Sequence, residues 1–169
     1  MRMMQPARLV IASAAIVWGL SAAAPLAAQG MGLSFSGLDS VRGLPVEIRA
    51  DSLDVNSATG ETRLEGNAVL GQGDMRLAAP IIRIHYDTGA RARILRLEAS
   101  GGVTLVTSEE AAEAREAVYE VVAGTVSMRG DVILTQGPNV LSGDRLDVDL
   151  STGQGRMEGN VRTIIQTTP

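Results

Sequence analysis

Residues 144–162 read DRLDVDLSTGQGRMEGNVR, and residues 51–69 read DSLDVNSATGETRLEGNAV. At a constant offset the two stretches share Asp, Leu, Asp, Val, Thr, Gly, Arg, Glu, Gly and Asn. An internal repeat of this kind means that the chain builds one structural unit more than once.

Each copy has the pattern of a strand, a turn, a returning strand and a kink. Leu53 and Val55, like Leu146 and Val148, are two residues apart, so each pair lies on one face of a strand. A polar Thr-Gly segment follows, in which glycine can adopt a positive φ without steric cost. After three alternating residues, a Gly-Asn pair interrupts the pattern before the next apolar residue. The repeat therefore predicts β structure.

Short alternating segments separated by glycine-containing turns continue through most of the chain. They predict an all-β, antiparallel fold, either a roll or a sandwich. We expect two separate strands on either side of Gly101-Gly102, a first strand at Val46–Ala50 and a last one at Met157–Gln166. The segment 109–120 is ambiguous, because its Ala and Glu content favours helix while its position among strands favours sheet. We expect strand for its second half.

The N-terminus has the features of an export signal. Arg2 and Arg8 precede an uncharged run, and the small residues up to Ala28 suit cleavage near that position. We therefore expect a signal peptide at 1–28, a flexible Gly- and Ser-rich leader at 29–44 and one domain at 45–169. An uncleaved membrane anchor is the alternative, although the run reaches the roughly 20 residues of a membrane span only by counting Pro25 and many alanines.

The charge of the mature chain argues against a nucleic-acid partner. The full sequence holds 15 Lys and Arg against 19 Asp and Glu, and every one of the 15 is arginine. Removal of Arg2 and Arg8 leaves 13 against 19, a formal charge of −6. A chain this acidic, without a basic stripe, suits neither nucleic acid nor electrostatic docking on anionic lipid headgroups.

The sequence also lacks the usual signatures of an enzyme. It has no cysteine and a single histidine, His85, for which no nucleophile or second metal ligand can be identified. No acid–base pair stands out, and Glu65 and Glu158 recur at equivalent turns, which indicates a structural role. We therefore expect no catalytic residues, no metal and no cofactor.

The repeated Leu/Met-x-Gly-Asn/Asp-x-Val element and the Gly-Asp-x-Leu step together resemble the OstA-like family of lipopolysaccharide-transport proteins, specifically its soluble periplasmic bridge type (LptA type). The resemblance covers nearly all of the mature chain. The segments that carry it are Pro45–Asp51, Leu64–Val69, Tyr119, Met128–Gly137, Leu141–Leu146 and Met157–Val161.

The resemblance implies an open, twisted antiparallel β-jellyroll whose apolar interior shields the acyl chains of lipid A. It also implies a periplasmic location and end-to-end homo-oligomers. These would form a bridge from an inner-membrane anchored transport component to an outer-membrane barrel component. A membrane-anchored member of the same superfamily is an alternative, as is an extracytoplasmic β-repeat scaffold without a ligand.

The candidate lipid-binding residues are apolar side chains that alternate along the expected strands and so share one face. Aliphatic side chains and methionine adapt in shape to flexible acyl chains. The same residues would fill the core of any β roll, so alternation alone leaves a packed interior and a lipid groove both open. The candidates are Val46, Ile48, Leu53, Val55, Ile84, Leu105, Tyr119, Val126, Met128, Leu134, Leu146 and Val148.

Overall fold

The structure is a computed structural model that describes residues 33–35, 44–87 and 93–165. The expected signal peptide lies outside these residues, as does most of the expected leader. The described residues contain strands and turns but no helix. The strands are β1 (Leu33–Ser34), β2 (Glu47–Arg49), β3 (Ser52–Asn56), β4 (Glu61–Gln72), β5 (Met75–Tyr86), β6 (Ile94–Val106), β7 (Glu110–Glu120), β8 (Thr125–Gln136), β9 (Asn139–Asp149), β10 (Gln154–Glu158) and β11 (Arg162–Ile164).

All of these strands belong to one antiparallel sheet. Its order is β1-β10-β9-β8-β7-β6-β5-β4-β2, with β3 also paired to β4 and β11 also paired to β9. From β4 to β10 each strand pairs with the next one in the chain, so the sheet is a meander joined by tight turns. The all-β antiparallel prediction is confirmed.

Two of the Gly-Asn and Gly-Asp pairs of the described residues, Gly66-Asn67 and Gly130-Asp131, are kinks within long strands, not strand ends. Gly66-Asn67 in β4 and Gly130-Asp131 in β8 have positive φ, and the pairing register shifts at each pair. Gly101-Gly102 lies in the same way inside β6, so the prediction of two strands there was wrong. At each pair two residues stand opposite one residue of the partner strand, which is a β-bulge, and a bulge bends a strand without ending it. Each of these long strands has buried residues on both sides of its kink, so both halves are held in the sheet and the strand continues through the kink.

The kinks of neighbouring strands lie side by side and form one continuous corner. At the first kink, the Asn67 amide donates to the Asp51 carboxylate at 2.9 Å, and the Asp51 N–H donates to the Gly66 carbonyl at 2.9 Å. The second repeat reproduces this arrangement with Asn160 and Asp144 at 2.8 Å. The repeat seen in sequence is therefore a repeat of the corner that bends the sheet.

The turn within each repeat is also built in the same way. The side-chain oxygen of Asn56 accepts the N–H groups of Ala58 and Thr59 at 3.0 and 3.2 Å. Asp149 does the same for Ser151 and Thr152 at 2.7 and 3.2 Å. Such side-chain bonds to backbone N–H groups favour turns over continued strand.

The Ala- and Glu-rich segment is a strand from Glu110 to Glu120, which confirms the expectation for its second half and shows that the first half is also strand. Ala112 and Ala117 point inward and are buried, whereas Glu113 and Glu116 point outward. Pairing with β6 and β8 on both sides supplies contacts that outweigh the intrinsic helix propensity.

The two ends of the sheet differ from the sequence prediction. The expected last strand is divided at Gly159-Asn160 into β10 and β11, which both pair with β9. Beside β10, β1 adds two residues from the segment that the sequence assigns to the leader, and Phe35 beyond it is buried. The Phe35 N–H donates to the Gly153 carbonyl at 2.5 Å.

Candidate functional site

The corner divides the sheet into two walls that face each other. Wall one contains β3, β10 and the paired half-strands that include 61–65, 116–120 and 145–149. Wall two contains β2, β11 and the half-strands that include 68–72, 110–114 and 139–143. Their inner faces form a single apolar cluster. The side of this interior opposite the corner, where the half-strands end, is called the mouth.

The interior is apolar and packed. Leucine, isoleucine, valine, methionine and alanine fill its central rows, and most of these side chains are 0–2% exposed. Among the buried side chains of the described residues, Glu110 is the only one that belongs to an Asp, Glu, Lys, Arg or His residue. The interior therefore offers an apolar surface, and its central rows are closed by packing.

The structure brings eight of the twelve predicted residues together in this interior. The eight are 0–2% exposed and belong to the same cluster: Ile84, Leu105, Tyr119, Val126, Met128, Leu134, Leu146 and Val148. Val46 and Ile48 are half-buried beside β4 and pack against the cluster from wall two.

The other two predicted residues, Leu53 and Val55, are on the inner face but uncovered. Each lies directly opposite a buried residue of β4: Leu53 faces Leu64 and Val55 faces Thr62. Opposed residues in an antiparallel pair share a face. Leu53 and Val55 are nevertheless 59% and 67% exposed. The β2–β3 end of the interior is therefore open and apolar.

Sequence reasoning missed part of the interior. Leu64, Leu70, Leu77, Ile82 and Leu97 are also inward-facing and at most 2% exposed. The same alternation that selected their neighbours would have identified them.

It also missed the polar side chains at the mouth, which no periodicity indicates. The Tyr119 hydroxyl donates to Gln72 Oε1 at 3.1 Å, and Gln72 Nε2 donates to the Leu44 carbonyl at 3.1 Å. The Thr107 hydroxyl donates to the buried Glu110 carboxylate.

The outer face of wall one carries ion pairs instead of apolar side chains. Arg145 Nη2 donates to Asp147 Oδ1 at 2.8 Å, and the Ser127 hydroxyl donates to the same oxygen at 2.5 Å. Burial raises the pKa of Asp147, but these hydrogen bonds outweigh it, so the pKa lies below the ordinary value of 3.8. The Asp147 hydrogen bond also raises the pKa of Arg145.

A hollow of about 600 Å³ lies on this outer face, lined in part by Arg96, Arg129, Arg145 and Arg156. Three of these cations are paired with carboxylates: Arg96 with Glu98 and Glu120, Arg145 with Asp147, and Arg156 with Glu158. The carboxylates neutralise these three guanidinium groups, which makes this hollow a weak anion site.

Within the described ranges, no group of three or more His, Cys, Asp or Glu side chains could hold a metal ion. His85 lies on β5, where Nε2 is 3.7 Å from the Glu98 carboxylate. In the same part of the chain, no helix has the length and hydropathy to cross a membrane.

Comparisons with known proteins find a family model and a relative that match this chain. The LptA/LptD N-terminal domain family of LPS transport proteins has a family model that matches residues 47–154. An uncharacterized protein of Rhizobium meliloti (strain 1021), R00383, is 29% identical over 165 residues, which cover 91% of this chain and 89% of that protein.

A solved structure shares the fold. LptH from Pseudomonas aeruginosa, described as the LptA-homologous periplasmic component of the lipopolysaccharide transport device, superposes with a TM-score of 0.67. The match covers 76% of this chain and 99% of LptH at 16% identity, so it bears on the fold. Both are open, twisted β-jellyrolls. Since the family model spans more than half of the sequence, the chain belongs to the LptA/LptD N-terminal domain family of lipopolysaccharide transport proteins.

Proposed function

We propose that this protein binds lipopolysaccharide in the periplasm, holds the acyl chains of lipid A between its two walls and passes the lipid between membrane components. The observation that carries this proposal is the uncovered inner face at β3, where Leu53 and Val55 extend the apolar interior to the surface. Burying acyl chains yields about 0.8 kcal/mol per CH₂ group, so binding needs no charged headgroup pocket.

The proposed partners follow from the family and from the two ends of the sheet. An inner-membrane anchored component would deliver the lipid and an outer-membrane barrel component would receive it. Exposed apolar residues occur at both ends, with Leu53 and Val55 on β3, and Ile164 and Ile165 at and beyond β11 at 59% and 61% exposure. Edge strands with unpaired N–H and C=O groups also template a neighbouring strand, which supports end-to-end homo-oligomers.

A signal peptide cleaved near Ala28 would deliver the mature chain to the periplasm. The proposed role is not enzymatic.

A ligand-free β-repeat scaffold is the second candidate, and the dense packing of the central rows supports it. The two candidates differ in lipid uptake by the folded protein.

The test is native mass spectrometry of the mature chain, residues 29–169, incubated with lipopolysaccharide. We expect a bound species that free lipid A displaces. A folded, β-rich protein that shows no bound species would favour the scaffold.

Two matched variants test where the lipid binds. Val55 is 67% exposed on the inner face, and Val122 is 69% exposed in the β7–β8 turn. Val55→Asp places a carboxylate against the acyl chains and should weaken binding about tenfold or more, since desolvating an ion costs several kcal/mol. Val122→Asp adds the same charge at equal exposure and should leave binding unchanged. Equal affinities of both variants would remove the β3 end from the proposed site.

A further inference from the structure

The hydrogen bond between Tyr119 and Gln72 joins side chains of the two walls at the mouth. Tyr119 belongs to wall one, where it pairs with Leu97 on β6 and with Val126 on β8. Gln72 is the last residue of β4 in wall two, opposite Met75. The Tyr119 hydroxyl donates to Gln72 Oε1 at 3.1 Å, although 47 residues separate the two in sequence.

Both partners of this hydrogen bond are withdrawn from water. Tyr119 is 2% exposed and Gln72 is 4% exposed. The Gln72 amide is oriented from its other side, because Nε2 donates to the Leu44 carbonyl at 3.1 Å. A buried amide held in this way presents its oxygen to the tyrosine in a fixed direction.

The polar character of the mouth contrasts with the rest of the interior. The buried polar side chains among the described residues are Thr62, Gln72, Thr107 and Glu110, and all four lie in the rows farthest from the corner. Apolar side chains of similar size would fill the same space. A hydrogen bond differs from such packing because water can replace each partner when the walls part, so its net contribution is small.

We infer that the Tyr119–Gln72 hydrogen bond is a clasp that keeps the mouth closed and must break before an acyl chain enters between the walls through the mouth. This inference rests on the proposed lipid-binding function and assigns the control of entry to two residues. Tyr119 therefore acts at the entrance, through Gln72, in addition to contributing its ring to the apolar interior.

The test compares the two tyrosines of the chain. Tyr119→Phe removes the clasp hydroxyl and keeps the ring, whereas Tyr86→Phe removes a hydroxyl from a half-buried ring at the end of β5. Gln72→Met is a second clasp variant that keeps the side-chain length. Each variant is compared with the wild type by circular dichroism, to establish that the fold is retained.

The first measurement needs no ligand. Hydrogen–deuterium exchange followed by mass spectrometry reports opening of the half-strands 68–72 and 116–120. In Tyr119→Phe and Gln72→Met we expect exchange there to be about fivefold faster, the factor that corresponds to one net hydrogen bond. Tyr86→Phe should match the wild type. Unchanged exchange in both clasp variants overturns the inference, whether or not the protein binds lipid.

The second measurement is stopped-flow uptake of the apolar dye 1-N-phenylnaphthylamine and of lipid A in detergent micelles. Uptake by Tyr119→Phe should be about fivefold faster than by the wild type or Tyr86→Phe. Equal uptake rates with faster exchange would make the bond a structural tie and overturn its role as a clasp for entry. If even the wild type takes up neither probe, the proposed function fails, and the exchange data alone decide whether the bond holds the walls together.

Discussion

The corner is the feature whose removal should most directly damage the fold, and Gly66→Ala tests it. Gly66 has φ of +75°, and a Cβ at this position would overlap the Asp51 carboxylate and lie 2.9 Å from Asp51 Cβ. The matched control is Gly102→Ala in the kink of β6, two strands away in the sheet. Gly102 has φ of +97°, but nothing lies within 4 Å of an added Cβ there.

The two substitutions separate backbone strain from steric overlap. The left-handed conformation costs about 1–2 kcal/mol for a residue with a Cβ, and both variants incur this cost. Gly66→Ala also forces Asp51 to move, which adds about 1–3 kcal/mol for overpacking and weakens the bond from Asn67. We therefore expect a loss of about 2–5 kcal/mol for Gly66→Ala and about 1–2 kcal/mol for Gly102→Ala.

The assay is reversible urea unfolding followed by far-UV circular dichroism, with thermal melting as a second readout. A loss of 1 kcal/mol corresponds to roughly 3–6 °C in Tm for a domain of this size. Backbone strain alone would make Gly102→Ala at least as destabilising, since its φ lies farther from the left-handed minimum. Observing that order would refute the account in which close packing of Asp51 against Gly66 stabilises the corner.

Three further predictions concern the core, the outer face and the capped edge. Leu134→Ala, at a side chain that is 0% exposed, should lower the free energy of unfolding by about 2–5 kcal/mol in urea titrations. The pKa of Asp147 is lowered in the fold, so the ionised carboxylate stabilises the folded protein. This stabilisation is complete above the ordinary pKa of 3.8 and is lost as the pH falls through the lower pKa of the folded state. Asp147→Asn should therefore flatten this part of the curve of unfolding free energy against pH. Phe35→Ala should release β1 from β10 and shift sedimentation profiles towards larger assemblies, whereas an unchanged profile would argue that β1 does not limit edge-to-edge association.

The local patterns of the chain were sufficient for the β architecture. Alternation, the Thr-Gly turns and the repeated Gly-Asn pair depend on neighbours within a few residues, and the structure reproduces them as strands, turns and bulges. Eight candidate residues reached the interior for the same reason, since a side-chain period of two places every second residue on one face.

The ambiguous cases depended on contacts that are distant in sequence. The segment Glu110–Glu120 is a strand because β6 and β8 flank it, and its composition alone does not contain that information. Gly101-Gly102 bends β6 without ending it because both halves of the strand find partners on either side.

Whether an inward-facing side chain is covered from solvent is the property that only the tertiary structure decided. Val55 and Val148 occupy equivalent positions in the two repeats, yet one is 67% exposed and the other 2%. Val148 is flanked on both sides, by β8 and by β10, whereas Val55 lies on an edge strand. The Tyr119–Gln72 hydrogen bond likewise joins residues that only the folding of one wall onto the other brings together. Sequence alternation specifies which face a side chain takes, while its burial depends on which distant segment lies over that face.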